Sequence, residues 1–548
     1  MKHLNIRLIP YMLCGALFYS FTAAAQAPAT VQPEAPKNWH TLDLKTDGYY
    51  GISLHKAYLA LKGKKSKTVV VATIDSGIDT LQKDLRSVLW TNPKEIPGNG
   101  KDDDNNGYVD DIHGWDFLGG PGGKCDFTET TEEVREYNRL RSEYAPLTEA
   151  TAPDKKAFAY WQTVKTTYDS TIAKSATEIK QYSEFMNVLV VTSGYVKRAL
   201  KLQANDTFTL PTLSKLQTTN DTIAQSRDMW KMVMQEEGPS ATSAQIIKEL
   251  SEYLAKLNND INPDLEARKR IVGDDPNVWD GKPYGNNLLK FEDASHGTGV
   301  AGLIGAIRSN KYGVDGVADN VRIMAIKAVP NGDEYDKDIA NAIRYAVDNG
   351  AKIINMSFGK KLSPHKKWVD DAFKYAAQHD VLLVQAAGND NQDMDVKPQF
   401  PNDQFEDGSA TDADNLISVG ASGARLGENL AGSFSNYGQR NVDVFAPGVK
   451  VTSVDKDAEF NTADGTSFAS PITAGVAALL LEYYPTLSAR QLKQVIMQSA
   501  RPLKGRMVLK PGSKTDKVDF TTLSKTGGIV NAYDAVLIAG KIKGERKN

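Results

Sequence analysis

Hydrophobic residues follow two different patterns along the chain, and the two patterns occur in separate regions of the sequence. Outside the middle third, short continuous apolar runs alternate with amphipathic segments, beginning with the β-branched run Thr68 to Ile74. Such runs are typical of strands buried on both faces of a parallel sheet. Further strands are predicted at 321–328, 352–358 and 381–386, with helices at 338–349, 365–379, 470–484 and 489–500. The predicted fold class is α/β: a three-layer, doubly wound, mostly parallel sheet.

The middle of the chain, residues 126–272, has a different pattern. Its composition shifts to Thr, Lys, Glu and Gln with almost no Gly, and its apolar residues recur every three or four positions, as at Val164, Tyr168 and Ile172. This spacing predicts amphipathic helices packed as a hairpin or small bundle. Because no cluster of titratable groups of catalytic type is present, the pattern favours a structural or partner-binding all-α insertion.

The N-terminus has the three parts of a secretory signal peptide. Lys2 and Arg7 precede an apolar segment, and small residues around Ala25 and Ala27 offer a cleavage site. A retained membrane anchor is the weaker interpretation because the apolar run is too short to span a bilayer comfortably. The protein is therefore expected to be exported, either to the periplasm or out of the cell. Residues 26–67 are predicted to form a lead-in, flexible at first and helical from Trp39 to Leu61.

Composition narrows the range of partners. Lys and Arg number 65 against 68 Asp and Glu, so the net charge of −3 gives no reason to expect nucleic acid as a partner. No second apolar run is long enough to cross a membrane. Once Cys14 is removed with the signal peptide, Cys125 is the remaining thiol and no internal disulfide can form. The predicted domains are the signal peptide 1–25, the lead-in 26–67, a catalytic domain 68–125 with 273–548, and the insertion 126–272.

An acidic loop follows the first predicted strand. Asp102, Asp104, Asn106 and Gly107 match the opening of a Ca²⁺-binding loop, and Tyr108 stands at the next ligand position. The position of the closing Glu carries a His, so a complete EF-hand is absent. Two interpretations stay open: a structural Ca²⁺ site, with Asp102, Asp104, Asn106 and Tyr108 as its ligands, or a solvated acidic loop.

Four side chains at the ends of predicted elements suggest nucleophilic catalysis. Ser467 lies in Gly-Thr-Ser-Phe-Ala-Ser-Pro at the start of an apolar helix, where free backbone N–H groups favour developing negative charge. A serine nucleophile needs an imidazole base, and the base needs an orienting carboxylate. His296 and Asp75 can supply these, and Asn389 can donate to an oxyanion. Each residue alone has a structural explanation as a cap, turn or core group, but their joint occurrence favours catalysis.

These motifs resemble those of the subtilisin-like serine peptidases. The resemblance covers about 69–118 and 292–500 and rests on Asp-Ser-Gly-Ile-Asp from Asp75, His-Gly-Thr-Gly-Val-Ala-Gly from His296, Asn-Met-Ser-Phe-Gly from Asn355, Ala-Gly-Asn ending at Asn389, and the motif around Ser467. It implies that Asp75 orients His296, that His296 acts as general base and then acid, and that Ser467 attacks the carbonyl. The Asn389 amide and the Ser467 N–H would hold the oxyanion.

The same resemblance implies where a polypeptide substrate binds. The segment Ser357, Phe358, Gly359 would pair with the substrate backbone, and Ala386, Ala387 and Gly388 would line the pocket for the residue before the scissile bond. The small walls leave room for a sizeable apolar side chain unless loop residues fill the pocket. Asp333 and Glu334 are expected either to border the cleft or to be solvated.

The chain departs from the family pattern at three points. Gly299 replaces a second His that is often present, but that residue is not a member of the triad. The family often carries a folded inhibitory propeptide, but none of ordinary size is expected here because Asp75 lies close to the N-terminus. The insertion separates Asp75 from His296, and it is expected to act as a lid, a substrate gate or a docking surface.

Two other functions are alternatives to this interpretation. An α/β-hydrolase esterase would require Gly-x-Ser-x-Gly and the order Ser, Asp, His, neither of which is present. A catalytically silent cell-envelope scaffold that binds partners through the insertion is disfavoured because every catalytic group is in place. The sequence therefore predicts an exported serine endopeptidase that needs no cofactor for catalysis.

Overall fold

The computed structural model describes residues 34–237, 241–409 and 413–546. The predicted signal peptide lies outside these residues. The chain divides into two compact units, which we call the sheet unit (Glu34–Glu132 with Leu265–Asn548) and the helical unit (Glu133–Asp264). In the described residues, no helix combines the length and the apolar character needed to cross a membrane.

The sheet unit is built on seven parallel strands in the order β2-β5-β1-β6-β7-β8-β9. All strands of the described chain, including three small two-stranded sheets, are β1 Val69–Asp75, β2 Gly114–Asp116, β3 Gly119–Gly120, β4 Lys124–Cys125, β5 Val321–Lys327, β6 Ile353–Met356, β7 Leu382–Ala386, β8 Leu416–Ser422, β9 Val444–Pro447, β10 Val451–Val454, β11 Phe460–Ala463, β12 Met507–Leu509 and β13 Lys517–Asp519. The chain runs from β1 to β5 on one side and then to β6 on the other, so the strand order reverses at β1. In open α/β sheets, ligands bind at such a reversal, beyond the carboxyl ends of the strands.

Helices cover both faces of this sheet. The α-helices of the chain are α1 Leu44–Asp47, α2 Leu54–Leu61, α3 Glu132–Tyr144, α4 Lys155–Ala199, α5 Leu210–Lys215, α6 Asp221–Glu237, α7 Ser243–Ile261, α8 Ala267–Ile271, α9 Ser295–Gly305, α10 Asp336–Asp348, α11 Lys366–Gln378, α12 Thr466–Tyr483, α13 Ala489–Ser499 and α14 Ala532–Ala539. Neighbouring strand residues enter opposite cores: Val71 packs with α9 and α12, whereas Ala72 packs with α10 and α11. This arrangement confirms the three-layer parallel α/β fold predicted from the sequence.

The lead-in differs from the helix expected between Trp39 and Leu61. It forms a 3₁₀ turn at Trp39–Thr41 and two short helices, α1 and α2. The break has a conformational cause, since Gly48 ends α1 with φ +78° and Ser53 precedes α2 with φ 58°. Trp39, Ile52 and Leu61 are nevertheless buried in the sheet unit.

The helical unit has a core of its own. Its longest element, α4, runs for 45 residues, and Asp154 caps its start by accepting hydrogen bonds from two backbone N–H groups. Tyr182 and Leu189 of α4 pack in one cluster with Trp230 of α6 and Leu250 of α7. The unit is therefore a helical bundle, organised around one long helix instead of the simple hairpin that the spacing also allowed.

Candidate active site

Asp75 and His296 meet at the carboxyl end of β1. Asp75 is the last residue of that strand and is buried, and its Oδ1 accepts a hydrogen bond from the Ser76 N–H at 2.8 Å. The same oxygen lies 2.6 Å from Nδ1 of His296, which is in the first turn of α9. Because an ionised carboxylate only accepts hydrogen bonds, this contact places the proton on Nδ1 and leaves Nε2 as the basic nitrogen.

The turn after Asp75 is tied to the start of α9. The Ser76 hydroxyl donates to the Asp293 carbonyl at 2.8 Å and accepts from the Gly297 N–H at 3.3 Å. A Cβ at position 297 would lie 2.1 Å from the Gly77 carbonyl oxygen, so only glycine permits this approach. The segments that carry Asp75 and His296 are thus held together by the Ser76 hydroxyl and by the close backbone approach at Gly297.

A buried ion pair lies under the same turn. Lys327, the last residue of β5, is fully buried, and its ammonium donates to the Ser76 carbonyl at 2.8 Å and to Asp293 Oδ1 at 2.5 Å. Burial raises the pKa of Asp293, and the attraction of Lys327 opposes that rise. Loss of either partner would leave an uncompensated charge beneath the turn that follows Asp75.

Ser467 is in the first turn of α12, as the sequence predicted for a helix start. Its hydroxyl donates to the Ser357 carbonyl at 3.2 Å, and the Ser357 hydroxyl donates to the Ser467 carbonyl at 3.0 Å. Within the described residues, no hydrogen bond joins Ser467 to His296, although the ring of the next residue, Phe468, lies 6.3 Å from the imidazole. The structure therefore brings Asp75 and His296 together and leaves the Ser467 hydroxyl turned to another acceptor.

Asn389 follows β7 and is fixed by a residue that the sequence analysis did not single out. Its Oδ1 accepts hydrogen bonds from the N–H and the hydroxyl of Thr466, each at 2.9 Å. The Thr466 hydroxyl in turn accepts from the Gly388 N–H at 3.1 Å. Because the oxygen side of the amide is held by Thr466, its NH₂ group is turned away from Thr466. The Gly-Thr-Ser motif contains this residue, but the motif alone does not indicate that its hydroxyl holds the Asn389 amide.

The residues predicted to bind substrate lie on two neighbouring strands of the sheet. Ser357, Phe358 and Gly359 directly follow β6, Ala386 ends β7, and Ala387 and Gly388 come next. The strands β6 and β7 pair in parallel, so both segments leave the sheet at the same edge.

The segment after Gly359 contains a buried charge cluster. Lys360 is buried, and its ammonium contacts Glu132 Oε2 at 2.6 Å, the Glu334 carbonyl at 2.8 Å and Asp336 Oδ1 at 2.9 Å. Burial raises the pKa of Glu334 to about 8. The expectation that Glu334 is solvated is therefore wrong, because its side chain is buried beside Lys360, whereas its place at the border of the cleft stays a prediction.

The acidic loop brings together three carboxylates. Oxygens of Glu95, Asp102 and Asp104 lie within 4.8 Å of one another. Glu95 was missed in the sequence because it stands outside the calcium-loop spacing. The Asn106 amide is used within the loop: its Oδ1 accepts from the Tyr108 N–H at 2.8 Å, and its Nδ2 donates to Asp111 at 3.2 Å.

The aromatic ring of Tyr108 packs on Trp115 and Tyr345, with centroids 5.1 and 4.9 Å away. This packing leaves the Tyr108 backbone carbonyl as the group that matches its predicted ligand position. The structure thus adds Glu95 to the candidate set, while Asn106 and Tyr108 have other contacts.

Together, the parallel sheet and the contact between Asp75 and His296 at the carboxyl end of β1 define an α/β protein with a candidate acid–base site. A family model described as "Subtilase family" matches residues 66–528, so the chain belongs to the subtilase family. Curated relatives include "Thermophilic serine proteinase" of Bacillus sp. (strain AK1), 36% identical over 44% of this chain and 52% of that protein.

Two other relatives are matched over more of their own length. "Subtilisin DY" of Bacillus licheniformis is 37% identical over 38% of this chain and 71% of that protein. "Thermitase" of Thermoactinomyces vulgaris is 31% identical over 50% of this chain and 84% of that protein. The chain thus spans about half the length of the AK1 proteinase and most of thermitase.

Proposed function

We propose that this protein is an exported serine endopeptidase that hydrolyses peptide bonds in polypeptides. The observation that carries the proposal is the 2.6 Å contact between the Asp75 carboxylate and the His296 imidazole, in a member of the subtilase family. Ser467 supports it because α9 and α12 lie on the same face of the sheet. The N-terminal pattern of charge, apolar segment and small residues supports export.

In the proposed mechanism, the Ser467 hydroxyl rotates from the Ser357 carbonyl toward Nε2 of His296. His296 removes its proton as Oγ attacks the substrate carbonyl carbon, and Asp75 stabilises the imidazolium that forms. The oxyanion accepts hydrogen bonds from the Ser467 N–H and from the Asn389 amide, whose orientation Thr466 fixes. His296 then returns the proton to the leaving amine, and water hydrolyses the acyl-enzyme by the same steps.

The substitution Ser467→Ala tests the proposal directly. We expect kcat/KM for a casein-derived or tetrapeptide substrate to fall by several orders of magnitude, with unchanged thermal unfolding, because the nucleophile is lost and the fold is kept. Ser433→Ala is the matched control, since Ser433 is exposed and its side chain makes no hydrogen bond within the described residues. Equal hydrolysis by Ser467→Ala and the parent would refute the proposal.

The alternative, a catalytically silent scaffold, draws on one feature of the helical unit. Val188, Val190 and Val191 of α4 are 42%, 51% and 56% exposed, an apolar stretch that a partner protein or a substrate could cover. We propose that this stretch serves a lid or docking role in addition to catalysis. A scaffold without catalysis predicts no difference between Ser467→Ala and Ser433→Ala in any hydrolysis assay.

We further propose that the acidic loop binds a structural Ca²⁺. Glu95, Asp102 and Asp104 offer the hard oxygen ligands that Ca²⁺ prefers. Burial raises the pKa of Asp111 to about 6, and the nearby Asp104 adds to the rise. The ion would hold the loop in place and would take no part in the chemistry at Ser467.

A further inference from the structure

We call Ser357 to Gly359 and Ala386 to Gly388 the two walls of the specificity pocket. The side chain of Gln399, which belongs to neither wall, lies next to both. A Cβ built on Gly388 would lie 2.1 Å from Oε1 of Gln399, and a Cβ built on Gly359 would lie 3.7 Å from the same atom. The same carboxamide oxygen therefore stands where a side chain on either glycine would point, so the Gln399 side chain fills space that both walls border.

The backbone of Gln399 is held at this place. The next residue, Phe400, exchanges two hydrogen bonds with Lys360, at 2.8 and 2.9 Å, and Lys360 directly follows the wall residue Gly359. The Gln399 carbonyl also accepts from the Asn402 amide at 2.9 Å. The loop that carries Gln399 is thus paired with the extension of the substrate-binding segment.

The side chain is held as well. Gln399 is 8% exposed, and its Nε2 donates to Oδ2 of Asp390 at 2.7 Å. This bond turns Oε1 toward the two wall glycines, and within the described residues Oε1 accepts no hydrogen bond. The space between the walls therefore holds a fixed hydrogen-bond acceptor from a loop, which is the alternative to an open apolar pocket that the sequence left open.

Resting on the proposed peptidase activity, we propose that Gln399 closes the specificity pocket and selects substrates with a small residue, Ala or Ser, before the scissile bond. An aromatic ring would have to displace the carboxamide from between Gly359 and Gly388 and break its hydrogen bond to Asp390. A serine hydroxyl could donate to the open Oε1, whereas a large apolar side chain would leave that oxygen buried without a partner.

The test compares tetrapeptide anilides that differ only in the last residue, Ala, Ser, Leu or Phe. The parent enzyme is expected to show a kcat/KM at least tenfold higher for Ala and Ser than for Phe. In Gln399→Gly, which removes the carboxamide, kcat/KM for Phe should rise at least tenfold while the value for Ala changes less than threefold. Asp390→Ala should shift the preference in the same direction by a smaller factor, because it only releases the side chain.

Gln404→Gly is the matched control, since Gln404 is exposed in the same loop and contacts neither wall. It should keep the parent's preference. A parent that prefers Phe, or a Gln399→Gly variant with an unchanged ratio of Phe to Ala, overturns the role of Gln399 while the peptidase itself stands. If neither the parent nor Gln399→Gly hydrolyses any peptide and Ser467→Ala behaves like both, the proposed function fails and this inference fails with it.

Discussion

The sheet unit and the helical unit are stabilised by different geometries. In the sheet unit, successive strand residues such as Val71 and Ala72 enter separate cores, and strand ends carry reactive groups that are distant in sequence. In the helical unit, one core forms along α4. On the exposed face of α4, the hydroxyls of Thr166 and Thr167 donate hydrogen bonds to backbone carbonyls one turn earlier. A parallel sheet therefore gathers distant side chains at one edge, whereas a long helix mainly orders the residues next to it.

Groups that titrate near neutral pH are also unequally distributed between the two units. Between residues 34 and 548, all histidines belong to the sheet unit, and residues 133–264 contain none. Burial raises the pKa of Asp116, in β2 of the sheet unit, to about 7. Changes in stability near neutral pH should therefore originate in the sheet unit.

Substitution of Trp230 should have the greatest effect on stability, and it tests whether the helical unit unfolds independently of the sheet unit. Trp230 is fully buried, packs edge-on against Phe208 with centroids 5.1 Å apart, and donates to the Thr192 hydroxyl at 3.1 Å. Trp230→Ala should destabilise the helical unit by about 3–5 kcal/mol through the lost burial and the cavity left behind. Calorimetry should show one unfolding transition moved to lower temperature, with peptide hydrolysis retained below it.

Trp279→Ala is the matched substitution in the sheet unit. Because the Trp279 side chain is 40% exposed, this substitution should lower the free energy of unfolding by less than about 1 kcal/mol. A single transition that shifts as a whole in Trp230→Ala would mean that the two units unfold together, and the comparison would fail.

A second, smaller effect concerns acid sensitivity of the sheet unit. His40 is buried without a hydrogen-bond partner for either ring nitrogen in the described chain, and burial, with Arg308 nearby, lowers its pKa from 6.5 to about 4. As the pH falls, His40 therefore takes up a proton in the unfolded chain before it does so in the folded protein. The stability that neutral, buried His40 contributes is complete above pH 6.5 and is lost as the pH falls toward 4. The loss amounts to at most about 3 kcal/mol.

Urea unfolding of His40→Leu at several pH values measures this contribution. The variant should be less sensitive than the parent to a fall in pH from 6.5 to 4, whereas the exposed His55→Gln should follow the parent curve. Identical pH dependence in His40→Leu and the parent would place the acid sensitivity elsewhere.

The smallest expected effect is that of calcium on the acidic loop. If the loop binds Ca²⁺, an ion concentration 100 times the Kd adds about 2.7 kcal/mol to the stability of the sheet unit. The sheet-unit transition should melt higher in Ca²⁺ than in chelator, and the helical-unit transition should not move. Asp102→Asn with Asp104→Asn should abolish the difference, and equal melting curves for the parent would remove the ion from the proposal.

Much of the fold was predictable because buried strands and amphipathic helices leave local patterns. The predicted strand 321–328 matches Val321–Lys327, and the predicted helix 489–500 matches Ala489–Ser499. The strands β8 and β9 were missed. β8 mixes Ser and Gly with apolar residues, and β9 has four residues and ends in Pro, so neither gives a long apolar run.

The candidate site was predictable to the extent that its chemistry lies in short motifs. Asp75, His296, Asn389 and Thr466 stand in such motifs, but the contacts made by the Thr466, Glu95 and Gln399 side chains depend on the fold. Gln399 is an example: its importance comes from Gly359 and Gly388, and no spacing in the sequence indicates that three such residues converge.

The 2.6 Å contact between acid and base joins residues 221 positions apart, with the whole helical unit between them. On a ribosome that adds about 5–20 residues per second, His296 emerges on the order of 10–40 s after Asp75. Ser467 follows later still. In the proposed mechanism, a polypeptide whose synthesis stops inside the helical unit lacks both the base and the nucleophile, so incomplete translation products are expected to hydrolyse no peptide bonds.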